Sequence, residues 1–363
     1  MSANDVSMHF QIDSAFADGA APPSGWYHEP HVHRLELATV FRRSWHLVAR
    51  RSALEASGKC VPGRIGETPI LVAQGPDGSL RGFVNACRHR GYPLVEGEEQ
   101  VSIFRCKFHG WTYELDGRLR RAPRSEFETS FDPTALGLIP IAVDVIDEFV
   151  WANLDASAAP LRTALPELAR FCDDHGVSFG DYDFYSEIRH ELDCNWKAWV
   201  ENAVECYHCP VIHKQTFSDA WDTRPTEFVY VNDGKLMAQL GQPNVEASTY
   251  RRGGDDFRAL FVFPSSFLQL DGLVGYVGNI VPTGPESCVV TMYIFFRRGS
   301  DLEMVADWAE MYKKTTEEDL DALRQQRAAF HAELFERAYV MAATERPIAH
   351  FHDLLRREYA DGV

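Results

Sequence analysis

Two short pairs of cysteine and histidine constrain this 363-residue chain more than any other feature. Cys87 and His89 form the first pair, and Cys106 and His109 form the second, with 16 residues between the pairs. Short strands are predicted at 82–85, 102–105 and 112–115 on the flanks, so both pairs lie at loop tips. Two thiols and two imidazoles in this arrangement predict one metal site held between two loops.

Two metals suit this ligand set. A Rieske [2Fe-2S] cluster takes two sulfurs on one iron and two ring nitrogens on the other. A structural zinc is the alternative, but zinc fingers put at least two residues between their cysteines and a longer gap between their histidines. Four unrelated core residues are a weaker explanation, because the chain has only 8 Cys and 14 His. The spacing favours the cluster.

A second site is predicted in the segment ENAVECYHCPVIH, on a helix over 195–209. Asn202, Glu205 and His208 stand at i, i+3 and i+6 and would project from one face of that helix. Pro210 would end or kink the helix, so that His213 can turn back towards His208. Two imidazoles with a carboxylate and open positions form the facial triad of non-haem Fe(II) oxygenases.

Cys206 and Cys209 lie within the same segment. Cys-x-x-Cys is a redox or zinc motif in other settings. On the predicted helix the two point roughly 100° away from Glu205 and His208. We expect them to pack as buried free thiols in the wall beside the iron.

The carboxylate ligand is predicted on a long helix over 301–337 that lacks Pro and Gly. Asp319 falls on its apolar stripe and Glu318 on the border of that stripe. A carboxylate aimed at the core needs a charged partner or a metal. Asp319 is therefore the expected ligand, with Glu318 and a buried salt bridge as alternatives. The stripe consists of Val305, Trp308, Tyr312, Thr316, Leu323 and Phe330.

The motifs CRHRGYPL, CKFHGW, NWK and ECYHCPVIH resemble those of the Rieske-type non-haem iron oxygenases, specifically their large (alpha) subunit. That superfamily includes ring-hydroxylating dioxygenases and carnitine–choline monooxygenases. The resemblance implies an α+β fold: a small all-β Rieske domain and a larger catalytic domain with an antiparallel sheet covered by helices, helix-grip and START-like. It implies a [2Fe-2S] cluster and a mononuclear Fe(II) as cofactors.

Three regions are predicted along the chain. Residues 1–40 form an arm packing on the catalytic domain, 41–158 the Rieske domain, and 159–363 the catalytic domain. Strands of the catalytic sheet are expected at 227–231, 236–240, 259–262, 267–270, 275–281 and 288–296. The arm should contain a helix over 33–41.

Composition and charge limit which partners the chain is expected to bind and in which cellular compartment it is expected to work. The net charge of −17 argues against nucleic acid, and no apolar run is long enough to span a membrane. The N-terminus lacks the basic start and apolar core of a secretory signal. With the cysteines assigned to metal or interior, a cytoplasmic location is expected.

The resemblance also implies partners. Electrons would come from a separate NAD(P)H-dependent reductase, with or without a ferredoxin, and no dinucleotide-binding glycine motif is evident in this chain. The assembly would be a homotrimer, with or without small beta subunits. Glu205 and Asn202 are the predicted catalytic residues. Glu205 would join His208 to the cluster ligand His109 of a neighbouring subunit.

The main prediction for the reaction is mono- or dihydroxylation of an aromatic or small organic acid by O2. Hydroxylation or N-demethylation of a quaternary ammonium compound is the alternative, since ECYHCPVIH looks more like the carnitine–choline branch. Arg251 and Arg252 could pair with a substrate carboxylate. An electron carrier without oxygenase activity would leave two thirds of the chain without a role. Aromatic candidates for a cation cage are Tyr230, Phe261, Phe263, Phe267, Tyr276 and Phe295.

Overall fold

A computed structural model describes residues 20–224, 227–246, 256–332, 334–341 and 343–361. The chain divides into two compact units, one of Met1–Phe41 with Leu165–Val363 and one of Arg42–Ala164. Within the described ranges, no helix is both long and apolar enough to cross a membrane.

Strands dominate both units. In chain order they are β1 (Ala20–Pro23), β2 (His46–Arg50), β3 (Lys59–Ile65), β4 (Thr68–Gln74), β5 (Leu80–Val84), β6 (Glu99–Gln100), β7 (Phe104–Arg105), β8 (Thr112–Tyr113), β9 (Leu119–Arg121), β10 (Pro140–Ile146), β11 (Phe149–Asn153), β12 (Tyr182–Leu192), β13 (Val229–Asp233), β14 (Leu236–Gly241), β15 (Phe257–Val262), β16 (Ser266–Leu270), β17 (Val274–Gly284), β18 (Ser287–Arg297) and β19 (Arg337–Tyr339).

The α-helices are mostly short. They are α1 (Pro30–Glu36), α2 (Leu161–Ala164), α3 (Pro166–His175), α4 (Trp196–Ala203), α5 (Cys209–Ile212), α6 (Phe217–Ala220), α7 (Leu302–Phe330) and α8 (Arg346–Ala360). A π-helical turn, Leu37–Phe41, continues α1.

The smaller unit is built from two antiparallel sheets. One has seven strands in the order β2-β11-β10-β5-β4-β3-β6, and the other has three in the order β7-β8-β9. The apolar core of this unit includes Phe83, Phe104 and Tyr113, and it also contains Cys87 and Cys106. Both loops with the cysteine–histidine pairs are therefore anchored in the core by their cysteines.

The larger unit contains a seven-stranded antiparallel sheet in the order β12-β18-β17-β16-β15-β14-β13. Helix α7 packs on it, with Trp308, Met311 and Tyr312 in one core cluster with Val274 of β17 and Ile294 of β18. Strands β14 and β17 are buried along most of their length, so both faces of the sheet are covered there. The predicted α+β fold is confirmed.

Helix α7 and strand β12 differ from the predicted elements. Helix α7 ends at Phe330 rather than near residue 337, because the backbone turns there and Phe335 folds back to place its ring 6.3 Å from that of Phe330. The edge strand β12 was not predicted. Most of its side chains are partly or fully exposed, so it lacks the apolar signal that marks a buried strand.

Candidate metal centres and substrate cavity

The two loops of the smaller unit share one backbone geometry. The amide of Gly91 donates to the carbonyl of Cys87 at 2.8 Å, and the amide of Gly110 donates to that of Cys106 at 3.0 Å. Both glycines have φ of 74°, a conformation that side chains rarely tolerate. Each loop thus turns tightly within two residues after its histidine.

The four predicted ligands come together with their sulfurs inside and their rings outside. Cys87 and Cys106 are buried, whereas His89 and His109 are exposed at the loop tips with ring centroids 4.6 Å apart. A small loss of solvation, together with the neighbouring His109 and Arg90, lowers the pKa of His89. A lowered pKa favours the neutral ring, which is the form that binds a metal. This division into a sulfur side and a nitrogen side fits a Rieske cluster.

Two aromatic side chains that sequence reasoning missed support these loops. Tyr113 is fully buried, and its hydroxyl contacts the Cys87 sulfur at 3.3 Å while accepting from the amide of Arg88 at 3.0 Å. The Trp111 ring stacks on His89 at 5.1 Å between centroids. Tyr113 follows the GW of the second motif by two residues, but no local pattern marks it as a partner of the first loop.

In the larger unit, the predicted helix over 195–209 is wrong. Helix α4 ends at Ala203, and Glu205 and His208 lie in the turn before α5 rather than on one helical face. A residue from another part of the chain holds this turn, because the Cys206 amide donates to the hydroxyl of Tyr230 at 3.0 Å. The side chains predicted to share a helix face meet because of this turn.

His208 and His213 converge on Asp319 of α7. The Asp319 carboxylate oxygen Oδ1 lies 3.5 Å from Nε2 of His208 and 3.0 Å from Nε2 of His213. Asn202 donates to the same oxygen at 2.8 Å. Two ring nitrogens and one carboxylate thus face one another, and these residue types fit a non-haem iron.

Each histidine has a second carboxylate on its other nitrogen. Glu205 contacts Nδ1 of His208, and Glu318 contacts Nδ1 of His213 at 2.7 Å. Thr216 donates to Glu318 at 2.7 Å. Burial opposes protonation of His213, but Asp319 and Glu318 raise its pKa overall. Glu318, considered as an alternative ligand, thus lies on the far side of the ring from Asp319.

Cys206 and Cys209 form a disulfide, so the expectation of free thiols is wrong. The spacing permits it because the turn brings their Cα atoms to 5.0 Å. The Cys209 sulfur lies within 4.8 Å of donor nitrogens of His208 and His213. A disulfide sulfur is not the thiolate that binds metals, so Asp319 is the better third ligand.

A cavity of about 160 Å³ opens beside these residues. Phe261, Phe267 and Tyr276 line it as predicted, whereas Tyr230, Phe263 and Phe295 do not. Arg251 and Arg252 lie outside the described residues. Among the described residues, no lysine or arginine lines the cavity. Further aromatic lining side chains that were not predicted are Trp199, Phe217, Phe257 and Tyr312.

Known protein families match both units. Residues 44–132 match the Rieske [2Fe-2S] domain, and residues 179–361 match the ring-hydroxylating alpha subunit catalytic domain. The second match alone covers half of the chain. The chain belongs to the ring-hydroxylating alpha-subunit family of Rieske oxygenases.

Relatives of this Rieske oxygenase act on different substrates. Choline monooxygenase of Atriplex hortensis is 27% identical over 342 residues, which are 92% of this chain and 77% of the relative. The carnitine monooxygenase oxygenase subunit of Escherichia coli K12 is 27% identical over 353 residues, 93% and 94% of the two chains.

Solved structures show the same fold at lower identity. A quaternary ammonium Rieske monooxygenase superposes with a TM-score of 0.85 at 24% identity, covering 95% of this chain and 97% of the other. Naphthalene 1,2-dioxygenase from Rhodococcus sp. gives 0.82 at 18% identity, covering 99% of each chain.

The predicted enzyme class and cofactors are confirmed. This Rieske oxygenase is a terminal oxygenase component that holds a [2Fe-2S] cluster and a mononuclear iron, and it receives electrons from a reductase or ferredoxin. The zinc-site and electron-carrier alternatives fail, because a complete catalytic domain accompanies the Rieske domain.

Proposed function

We propose that this oxygenase hydroxylates or N-demethylates a quaternary ammonium compound. The observation that carries the proposal is the cavity beside His208, His213 and Asp319: it is lined by aromatic rings and acidic groups and, in the described part of the chain, by no lysine or arginine. The face of an aromatic ring attracts a cation. The choline and carnitine monooxygenases among the relatives support the same substrate class.

An acidic substrate fits this cavity poorly. A buried carboxylate requires a cation or several hydrogen-bond donors to offset its desolvation. No lysine or arginine among the described lining residues offers that cation, and the Glu205 carboxylate would repel a second negative charge. The relatives and the lining therefore favour the alternative substrate over the main prediction of an aromatic or small organic acid.

In the proposed mechanism, the smaller unit holds the cluster through Cys87, His89, Cys106 and His109. The larger unit holds the iron through His208, His213 and Asp319. When bound, the cluster supplies single electrons and the iron supplies O2 activation. The three residues that hold the iron would form a fixed frame and leave coordination positions open on the metal.

Several side chains would orient that frame. Glu205 and Glu318 accept the Nδ1 protons of the two histidines, which fixes each ring and directs its Nε2 lone pair at the iron position. Asn202 holds the Asp319 carboxylate by its side-chain amide. The aromatic walls of the cavity would exclude water around the substrate methyl groups.

Electron entry is proposed to occur between subunits of a homotrimer. Phe108, beside His109, is 51% exposed, and Tyr207 and Val211, flanking His208 in sequence, are 52% and 68% exposed. Each unit thus exposes large apolar side chains close in sequence to its metal ligands, and such side chains often mark an interface. Docking of a second copy would cover them and bring its cluster towards Glu205.

The test uses choline and its neutral isostere 3,3-dimethylbutan-1-ol, in which carbon replaces the nitrogen cation. The purified holoenzyme, supplied with a reductase and NAD(P)H, is mixed with each compound, with carnitine and with benzoate. We expect substrate-dependent O2 uptake matched by an oxidised organic product only with the quaternary ammonium compounds. Equal turnover of the neutral isostere, or coupled turnover of benzoate alone, would contradict the proposal.

A further inference from the structure

Two polar side chains in the cavity lack partners. The Tyr276 hydroxyl and the Gln269 amide nitrogen are both enclosed, and neither has a hydrogen bond to any described residue. Tyr276 is only 4% exposed, and both side chains line the cavity. Buried polar groups are normally hydrogen-bonded, so an unpaired donor facing a cavity calls for a ligand.

The sheet places these two donors side by side. Gln269 of β16 and Tyr276 of β17 are directly opposed in the antiparallel register, so their side chains stand on the same face. One acceptor atom of a ligand can therefore receive a hydrogen bond from each.

The surroundings fix the charge of that acceptor. Asp271 is fully buried and accepts from the Tyr312 hydroxyl at 2.8 Å and from the amides of Leu273 and Val274. Burial and the charge of Asp271 raise the pKa of Tyr276, so this phenol stays protonated and remains a donor. The negative charge of Asp271 acts on the Tyr276 hydroxyl, so a second carboxylate there would meet like charge.

We propose that Tyr276 and Gln269 bind a neutral oxygen of the substrate, such as the hydroxyl of an amino alcohol. This inference rests on the proposed function: the aromatic cavity takes the quaternary ammonium group, and the donor pair takes the oxygen. It assigns the substrate to the quaternary amino alcohols rather than to the betaines, whose oxygen is a carboxylate.

The experiment combines deletion of the oxygen from the ligand with deletion of the donors from the protein. Calorimetry on the holoenzyme compares choline with ethyltrimethylammonium, which keeps the cation and lacks the oxygen. We expect wild type to bind choline about tenfold more tightly, as two neutral hydrogen bonds allow. In Tyr276→Phe and Gln269→Leu the ratio of the two dissociation constants should fall towards one. In turnover assays with choline, these variants should raise KM more than they lower kcat.

Tyr312→Phe is the matched control. It also removes one phenol hydroxyl from the cavity wall, but that hydroxyl is engaged with Asp271. The tenfold ratio should persist in this variant. Tighter binding of carnitine than of choline by wild type, or an unchanged ratio in both donor variants, would overturn the inference while leaving the quaternary ammonium proposal intact. Failure of every ammonium compound to bind would overturn both.

Discussion

At the scale of single residues, the proposed iron site is a set of carboxylate–histidine pairs. Each ring has one carboxylate at Nδ1, and both rings direct Nε2 at Asp319. A carboxylate at Nδ1 fixes the tautomer with its proton there, so the lone pair remains at Nε2 for the metal. Neighbouring residues of one helix, Glu318 and Asp319, therefore act at opposite edges of the same ring.

This geometry separates the roles of Asp319 and Glu318. We expect Asp319→Ala to lower iron from about three to about two per chain and to abolish turnover, because only the mononuclear iron loses a ligand. Glu318→Gln should keep most iron and weaken its affinity by about 10–100-fold, as loss of an orienting carboxylate does. Metal analysis with the electron paramagnetic resonance signal of the reduced cluster distinguishes them. Iron loss in Glu318→Gln alone would reverse the two assignments.

The sequence identifies those residues whose roles can be inferred from their spacing along the chain. The cysteine–histidine pairs need only the turn that follows each histidine. Asp319 emerged from helix phase, since a carboxylate on an apolar stripe needs a partner. Tyr113, Gln269 and the Nδ1 contact of Glu318 were missed, because each depends on which strands or helices become neighbours in the fold.

At the scale of elements, helix ends were less predictable than strands. Strands β13 to β18 lie within a few residues of their predicted positions, because short runs of apolar residues bounded by turn formers are a local signal. The end of α4 at Ala203 has no nearby glycine or proline. It depends on Tyr230, far along the chain, and on the disulfide that closes the next turn.

A buried ion pair connects three helices of the larger unit. Glu36 at the end of α1 accepts from Lys197 and Trp196 of α4 and from Tyr359 of α8, and both charged side chains are fully buried. The Lys197 ammonium also donates to the carbonyl of Trp26 at 3.0 Å. The predicted arm is thereby tied to both ends of the catalytic unit.

Breaking one side of this pair should be costly. We expect Glu36→Gln to destabilise the larger unit by about 3–5 kcal/mol, because Lys197 is left as an uncompensated buried charge. Glutamine keeps one acceptor oxygen, so the bond from Trp196 to Oε2 or the bond from Tyr359 to Oε1 is lost as well, and the second substitution isolates the charge effect. Adding Lys197→Met should recover much of the loss. Urea unfolding followed by tryptophan fluorescence measures both; a double variant no more stable than the single one would refute the electrostatic explanation.

At the scale of the whole molecule, the two units divide one reaction. The smaller unit contains the residues suited to hold the cluster, and the larger contains those suited to hold the iron and a cation. Neither does oxygenase chemistry alone, since the iron needs electrons that only the cluster can deliver. If electrons pass from the cluster of one chain to the iron of another, the active enzyme must be an oligomer.

Mixed oligomers test whether that path crosses between copies. Cys87→Ser removes the cluster and Asp319→Ala removes the mononuclear iron, so each variant alone should be inactive. Co-expressed with different affinity tags, they should form trimers of three times the chain mass of 41.1 kDa. If electrons pass from the cluster of one subunit to the iron of the next, a mixed trimer contains at least one intact pair and recovers a substantial fraction of wild-type turnover. Co-expression of wild type with the Cys87→Ser/Asp319→Ala double variant is the matched control, because a trimer with one wild-type chain keeps an intact pair only if cluster and iron work within one chain. Light scattering and both tags must verify mixed trimers in the same sample.

Verified mixed trimers without turnover would show that cluster and iron work within one chain, and the proposed role of Glu205 at a subunit boundary would then be wrong.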